Sequence, residues 1–238
     1  SNSSLINMKA LTFNETRDFP YYKNNPRIPK IGWAILLLAV PISFLLYMII
    51  GLSSEFLGSV AFCFTMLIPL LYFSNWDYKL IFQKPDKNEI ILAILMFAGY
   101  MIYATVMGYV LDMFHLAGTD IASSRVVNLE MTVSLIFSMM GEELLKFIPL
   151  MFFMRLIYKF TGNRKLSLII SIILVLTCFG LIHYDPATST IISVLLIQGL
   201  GSIFEVYGYI KTKNLFVPYI SHLLTDAIIF IIILLGIT

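Results

Sequence analysis

Charge is what this sequence has least of. Lys, Arg, Asp and Glu make up 13% of its 238 residues, about half of the roughly 25% that a soluble domain carries, and mean hydropathy is +0.88. That deficit excludes a water-soluble globular fold. An excess of one sign is missing too: 16 basic against 14 acidic residues leave a formal charge of +2. No stretch is dense enough in Lys or Arg to track a phosphate backbone, so nucleic acid is excluded as a partner. Cysteine is nearly absent. Cys63 and Cys178 both fall inside apolar runs, where a free thiol behaves as a small hydrophobe, so neither a disulfide framework nor a cysteine metal cluster is expected. The short alternating segments of a membrane β-barrel are lacking. Nothing resembles a secretory signal peptide ahead of the first apolar run at Ile31.

What the chain does have is a series of apolar runs of about 20 residues, each long enough as a helix to cross a hydrocarbon core of roughly 30 Å. The expected fold is all-α, a polytopic membrane helix bundle. Seven spans are read, over residues 31–52, 57–73, 89–111, 131–154, 166–183, 190–210 and 215–237. An eighth, re-entrant or interfacial helix in the long loops is compatible with the same pattern. Residues 1–30, with Pro20, Pro26, Pro29 and five cations, read as a polar cytoplasmic tail, and residues 31–238 as the transmembrane domain. Loops before the odd-numbered spans are rich in Lys and Arg, and those between are poor. That alternation predicts an N-terminus inside and a C-terminus outside.

The fourth span contains Met139-Met140-Gly141-Glu142-Glu143-Leu144-Leu145-Lys146, two adjacent carboxylates and a lysine in a run otherwise suited to lipid. Each such charge at the bilayer centre costs at least roughly 2.5 to 3.5 kcal/mol, so the three groups need one another and need water. On a helix Lys146 lies four residues after Glu142 and three after Glu143, within reach of either. One cation then serves two acids, and the surplus carboxylate is either protonated or free to act as a base. A structural ion pair joining two helices is the blander account of the same residues.

Two further polar groups interrupt the later spans. Phe179 and His183 share a helix face, as do His222 and Asp226. Taken together the three groups offer what peptide-bond hydrolysis asks for: a carboxylate to take a proton from water, imidazoles to orient that water or donate to a developing oxyanion, and a side chain to hold an imidazole in place. No Ser, Thr or Cys nucleophile has an evident partner. Thr225 points away from the face shared by His222 and Asp226. Glu205, in the sixth span, reads first as a cavity-lining or paired residue, and Tyr207 and Tyr209 as part of an aromatic belt.

Glu142-Glu143, Phe179-x-x-x-His183 and His222-x-x-x-Asp226 resemble, in order and spacing, the three motifs of the CPBP family of CAAX-protease and bacteriocin-processing membrane endopeptidases. The stretch from Gly208 to His222 also resembles the family's lead-in to its third motif, so the likeness covers residues 131–238. It implies a helical core whose acids and histidines meet in a cavity within the membrane. Carried over by position, Glu142 is the base that activates water, Glu143 its support, and His183 and His222 the water and oxyanion partners. Asp226 stands where many members have Asn. An aspartate donates no hydrogen bond unless protonated, so orienting His222 suits it better than lining an oxyanion hole. Lys146 falls one place before the family's usual Arg, and Glu-Glu-x-x-Lys looks more like the related branch of site-1 proteases that cleave anti-sigma factors.

The resemblance leaves zinc open, with Glu142, His183 and His222 as its ligands, and the glutamate-dependent form without a cofactor is preferred. It also leaves open a non-catalytic scaffold or a bacteriocin immunity protein on the same fold, while a proton-coupled transporter would be expected to show internal repeats that are not found. The expected partners are a membrane-associated protein or peptide substrate, the lipid bilayer and a membrane protein that helps recruit the substrate. The expected location is a bacterial cell membrane. One difficulty stands. If spans five and seven both run outward, His183 and His222 sit roughly 15 Å apart in depth, at about 1.5 Å per residue.

Overall fold

The computed structural model describes residues 11–118 and 127–237. Over those residues the chain is all helical, with no strand, and forms a polytopic bundle. The long helices are α1 (Lys30–Gly51), α2 (Glu55–Phe73), α3 (Lys87–Met113), α4 (Leu129–Thr161), α5 (Arg164–Leu181), α6 (Ile191–Thr212) and α7 (Phe216–Leu234). All but α4 are long and apolar enough by composition alone to cross a membrane. The exception is the helix that carries Glu142, Glu143 and Lys146. Between α3 and α4, residues 119–126, part of a long loop in which an eighth helix was compatible with the sequence, lie outside the described residues.

Local chemistry sets the helix ends. Ser54, Asn128 and Asn163 each accept the backbone N–H three residues on, and Asp86 and Glu89 form a reciprocal box at the start of α3. Pro41, Pro69 and Pro149 lie inside α1, α2 and α4, which neighbouring helices permit in a membrane. On α1 the buried residues Trp33, Leu36, Ala39 and Ser43 recur every three or four positions, a narrow seam facing the bundle while the rest faces lipid. α4 is the reverse. It is buried along most of its length and packs on α1, α2, α5 and α7. Its 33 residues extend seven beyond the expected span, at the end where Arg155 and Lys159 meet water.

The N-terminal segment is not a free polar tail. Phe19 and Tyr22 are fully buried, and Tyr21 nearly so. Tyr22 meets Tyr158 edge to face with ring centroids 5.0 Å apart, and Arg155 donates to the Tyr22 and Lys23 carbonyls at 3.0 and 3.1 Å. Arg17 reaches Glu89 at 3.2 Å and the Thr212 carbonyl at 3.0 Å, and Asp18 pairs with Arg164 at 2.8 Å. The prolines and cations suggested a tail, but three aromatic side chains in four residues bury too much apolar surface to stay in water. The segment straps the ends of α3, α4, α5 and α6 together. Lys9 and the rest of residues 1–10 lie outside the described part.

Candidate active site

The sequence placed one cation against Glu142 and Glu143, and the fold distributes them differently. Lys146 Nζ lies 2.9 Å from Glu143 Oε1 and pairs also with Glu205 on α6. All three side chains are at most 7% exposed, so the ammonium sits between two buried carboxylates. Phe179 lies beneath it, with the ammonium 4.8 Å from its ring centroid. Glu205 is therefore a member of the charged centre, which sequence reasoning left in the background. The available signal was the one used for Glu142: an acid within an apolar span needs a partner.

Glu142 is left to His222. Its Oε2 lies 3.0 Å from His222 Nε2, while Glu143 Oε1 lies 2.9 Å from His222 Nδ1. Both imidazole nitrogens are thus held by acids of the same α4 turn. Glu143 thus holds the His222 ring in the way expected of Asp226. Asp226 lies one turn further along α7, with ligand atoms of Glu142, His222 and Asp226 all within 4.8 Å of one another.

Glu142, His222 and Asp226 face a polar cavity of about 280 Å³, together with His183 and Phe179, Glu205 and Gln198 on α6, and Tyr100 on α3. The two histidines therefore share one site despite the depth expected between them. His222 lies seven residues into α7, about 10 Å along its axis. His183 follows the last turn of α5 and folds back, its Nδ1 2.6 Å from the Phe179 carbonyl and its ring edge-on to Phe179. Helix depth alone could not show that return. Thr225, expected to point away, lines the same cavity. Tyr209 is no belt residue: it is 3% exposed and packs on Phe147 and Phe19.

Residues 124–228 match the family model described as Rce1-like, type II CAAX prenyl endopeptidase. Over these residues the chain is similar to that family. That agrees with the family to which the three motifs pointed, and its description names an endopeptidase. Comparison with curated proteins and comparison with solved structures each gave no match. The matched segment holds Glu142, Glu143, Lys146, Phe179, His183, Glu205, His222 and Asp226. Helices α1 to α3 lie outside it, yet Tyr100 of α3 lines the cavity.

For a divalent cation one group of nitrogen and oxygen donors is Glu142, His222 and Asp226, all within 4.8 Å of one another, a set whose chemistry suits zinc. His183 lines the cavity but belongs to neither close group of ligand atoms, so the set differs from the one carried over by resemblance. A second group, Glu143, Glu205 and His222, already surrounds the Lys146 ammonium.

Proposed function

We propose that the chain is an intramembrane endopeptidase that hydrolyses a peptide bond in a membrane-associated protein or peptide, with Glu142 as the base that activates water. One observation carries the reading: Glu142 meets His222 at 3.0 Å on the wall of a polar cavity, with the far nitrogen of the same ring fixed by Glu143. An imidazole held at both nitrogens keeps one orientation, and in its protonated form it donates to both carboxylates. Glu142 then presents its other oxygen to water at a defined angle.

The steps follow from that placement. Glu142 takes a proton from a cavity water as the water oxygen bonds to the scissile carbonyl carbon. The carbonyl oxygen becomes the oxyanion of a tetrahedral intermediate. Glu142 returns the proton to the leaving nitrogen, the C–N bond breaks, and a new carboxyl and a new amine leave. His183 helps to align the water. Its Nδ1 lies against a carbonyl, which only accepts, so that nitrogen carries the hydrogen and a neutral ring presents a lone pair at Nε2. If zinc binds, Glu142, His222 and Asp226 hold it and it supplies Lewis-acid polarisation. The N-terminus faces the cytoplasm, following the loop cations.

The test is mass-spectrometric product analysis of membrane peptides incubated with the purified protein, beside Glu142→Gln and His222→Ala, with and without a chelator. Cleavage by the wild type, lost in both variants and surviving the chelator, supports water activated by Glu142. Cleavage that persists in Glu142→Gln overturns it. Loss with chelator and rescue by zinc moves the chemistry to the metal.

A further inference from the structure

The proposed hydrolysis needs a hydrogen-bond donor for the oxyanion, and the usual candidate position holds Asp226, an acceptor. The cavity's other polar groups can be taken in turn. His222 has both nitrogens on glutamates, and His183 spends its N–H on the Phe179 carbonyl. The Thr225 hydroxyl donates to the Ser221 carbonyl at 3.0 Å, and that of Ser202 to the Gln198 carbonyl at 2.6 Å. Glu142, Glu205 and Asp226 are acceptors as carboxylates. Two donors remain, the Gln198 carboxamide and the Tyr100 hydroxyl, both lining the cavity and neither hydrogen-bonded through its side chain to any described residue.

Their placement is built into α6. The helix widens into a π turn over Leu195–Gly199 and tightens to a 3-10 turn over Leu200–Ser202, an irregularity that is rare and frequent at functional sites because it re-aims a side chain. Gln198 lies on that turn. Backbone contact with α5 fixes the turn: a Cβ on Gly180 would fall 2.9 Å from the Val194 carbonyl oxygen and 3.0 Å from Gly199 Cα. The last turn of α5, which carries Phe179 and His183, therefore packs directly on the π turn. Three residues beyond Gln198, Gly201 leaves room for the Tyr100 ring, whose Cε2 would lie 2.8 Å from a Cβ there. An amide and a phenol thus both line the cavity that Glu142 lines.

Resting on the endopeptidase reading, we infer that Gln198 and Tyr100 are the oxyanion donors of this protein, taking the role that an Asn at position 226 would fill. The carbonyl oxygen accepts an N–H from Gln198 and the O–H from Tyr100 as the water oxygen bonds to carbon. Both bonds strengthen as charge moves onto that oxygen, and both end when the C–N bond breaks and the carbonyl re-forms.

The experiment measures kcat and KM for peptide cleavage by wild type, Gln198→Leu, Gln198→Glu and Tyr100→Phe, with the affinity of each for a peptide trifluoromethyl ketone, whose hydrate mimics the tetrahedral intermediate. Removing one oxyanion donor lowers kcat by about 10²- to 10³-fold. That loss is expected for both Gln198 variants, with KM changed by less than about threefold and inhibitor affinity falling in step with kcat/KM. Tyr100→Phe falls in the same direction. Should Gln198→Leu fold poorly, the nearly isosteric Gln198→Glu decides. A kcat within about threefold of wild type in a folded Gln198 variant overturns the inference and leaves the endopeptidase standing. So does a fall in kcat with inhibitor affinity unchanged. A wild type that cleaves no membrane peptide and binds no ketone overturns both.

Discussion

Replacing Lys146 with Met removes the one ammonium of the buried centre and leaves Glu143 and Glu205 facing each other. Lys146 Nζ stands 2.9 Å from Glu143 Oε1 and is paired also with Glu205, with its side chain 4% exposed. At an effective dielectric constant of about 20, unit charges 2.9 Å apart attract by about 6 kcal/mol. Burial of the three charges offsets much of that, so the pair itself contributes little net stability. Breaking it is different, because Glu143 and Glu205 stay buried with only the His222 ring between them, 2.9 and 3.9 Å away, at a cost of about 3–5 kcal/mol. Lys146→Met is therefore expected to lose about 3–5 kcal/mol in unfolding followed by circular dichroism in mixed detergent–SDS micelles. Adding Glu205→Gln removes one orphaned charge and recovers part of the loss, a coupling of about 0.5–3 kcal/mol in the double-mutant cycle. A Lys146→Met variant within about 1 kcal/mol of wild type would refute the idea that this lysine neutralises the centre.

Other expectations follow from particular contacts. Glu142→Gln loses turnover by at least about 10²-fold yet keeps its melting temperature within a few degrees, because Glu142 lines the cavity and its paired partner His222 stays anchored on Glu143; a calorimetric or fluorescence melt beside the cleavage assay checks both. Gly180→Ala pushes a methyl against the Val194 carbonyl and costs about 1–3 kcal/mol, with activity falling further than stability because the π turn moves; an alanine variant with full activity contradicts it. Arg17→Ala leaves Glu89 buried with Asn214 as its remaining side-chain partner and frees the strap, so limited proteolysis cuts the N-terminal segment faster than in wild type. At Asp18, burial opposes ionisation, but the Tyr22 hydroxyl and Arg164 outweigh it and hold the carboxyl below its ordinary value. Its contribution to holding the strap is then present above about pH 3.9 and lost only as pH falls below that. Hydrogen exchange around Tyr22 as a function of pH reads this, and loosening already near pH 6 would contradict it.

The fold was legible because lipid solvation is a strong constraint: long apolar runs must be helices, and the runs lie where α1 to α7 form. The candidate site was legible where ionisable residues interrupt such a run, as Glu142, Glu143, His183 and His222 do. Helix spacing placed Lys146 within reach of both acids but could not choose between them. The choice is tertiary, made by Glu205 on another helix and by His222 taking Glu142. The π turn that aims Gln198 has no local signature, because it is set by backbone contact between Gly180 and Gly199. The strap was missed for a related reason. Pro20, Pro26 and Pro29 describe how residues 11–29 turn, whereas Phe19, Tyr21 and Tyr22 decide where they go.

The central claim is that Glu142 acts as a base toward water. Its most direct test is a single turnover of a membrane peptide in water enriched in oxygen-18, with enzyme in excess over substrate and the new C-terminus read by mass spectrometry. A water activated by Glu142 puts one heavy oxygen into the product carboxyl in that first turnover, and Glu142→Gln gives no product. A first-turnover product that carries only ordinary oxygen would mean that a side-chain oxygen attacked the carbonyl, and the account of Glu142 as a base would fall.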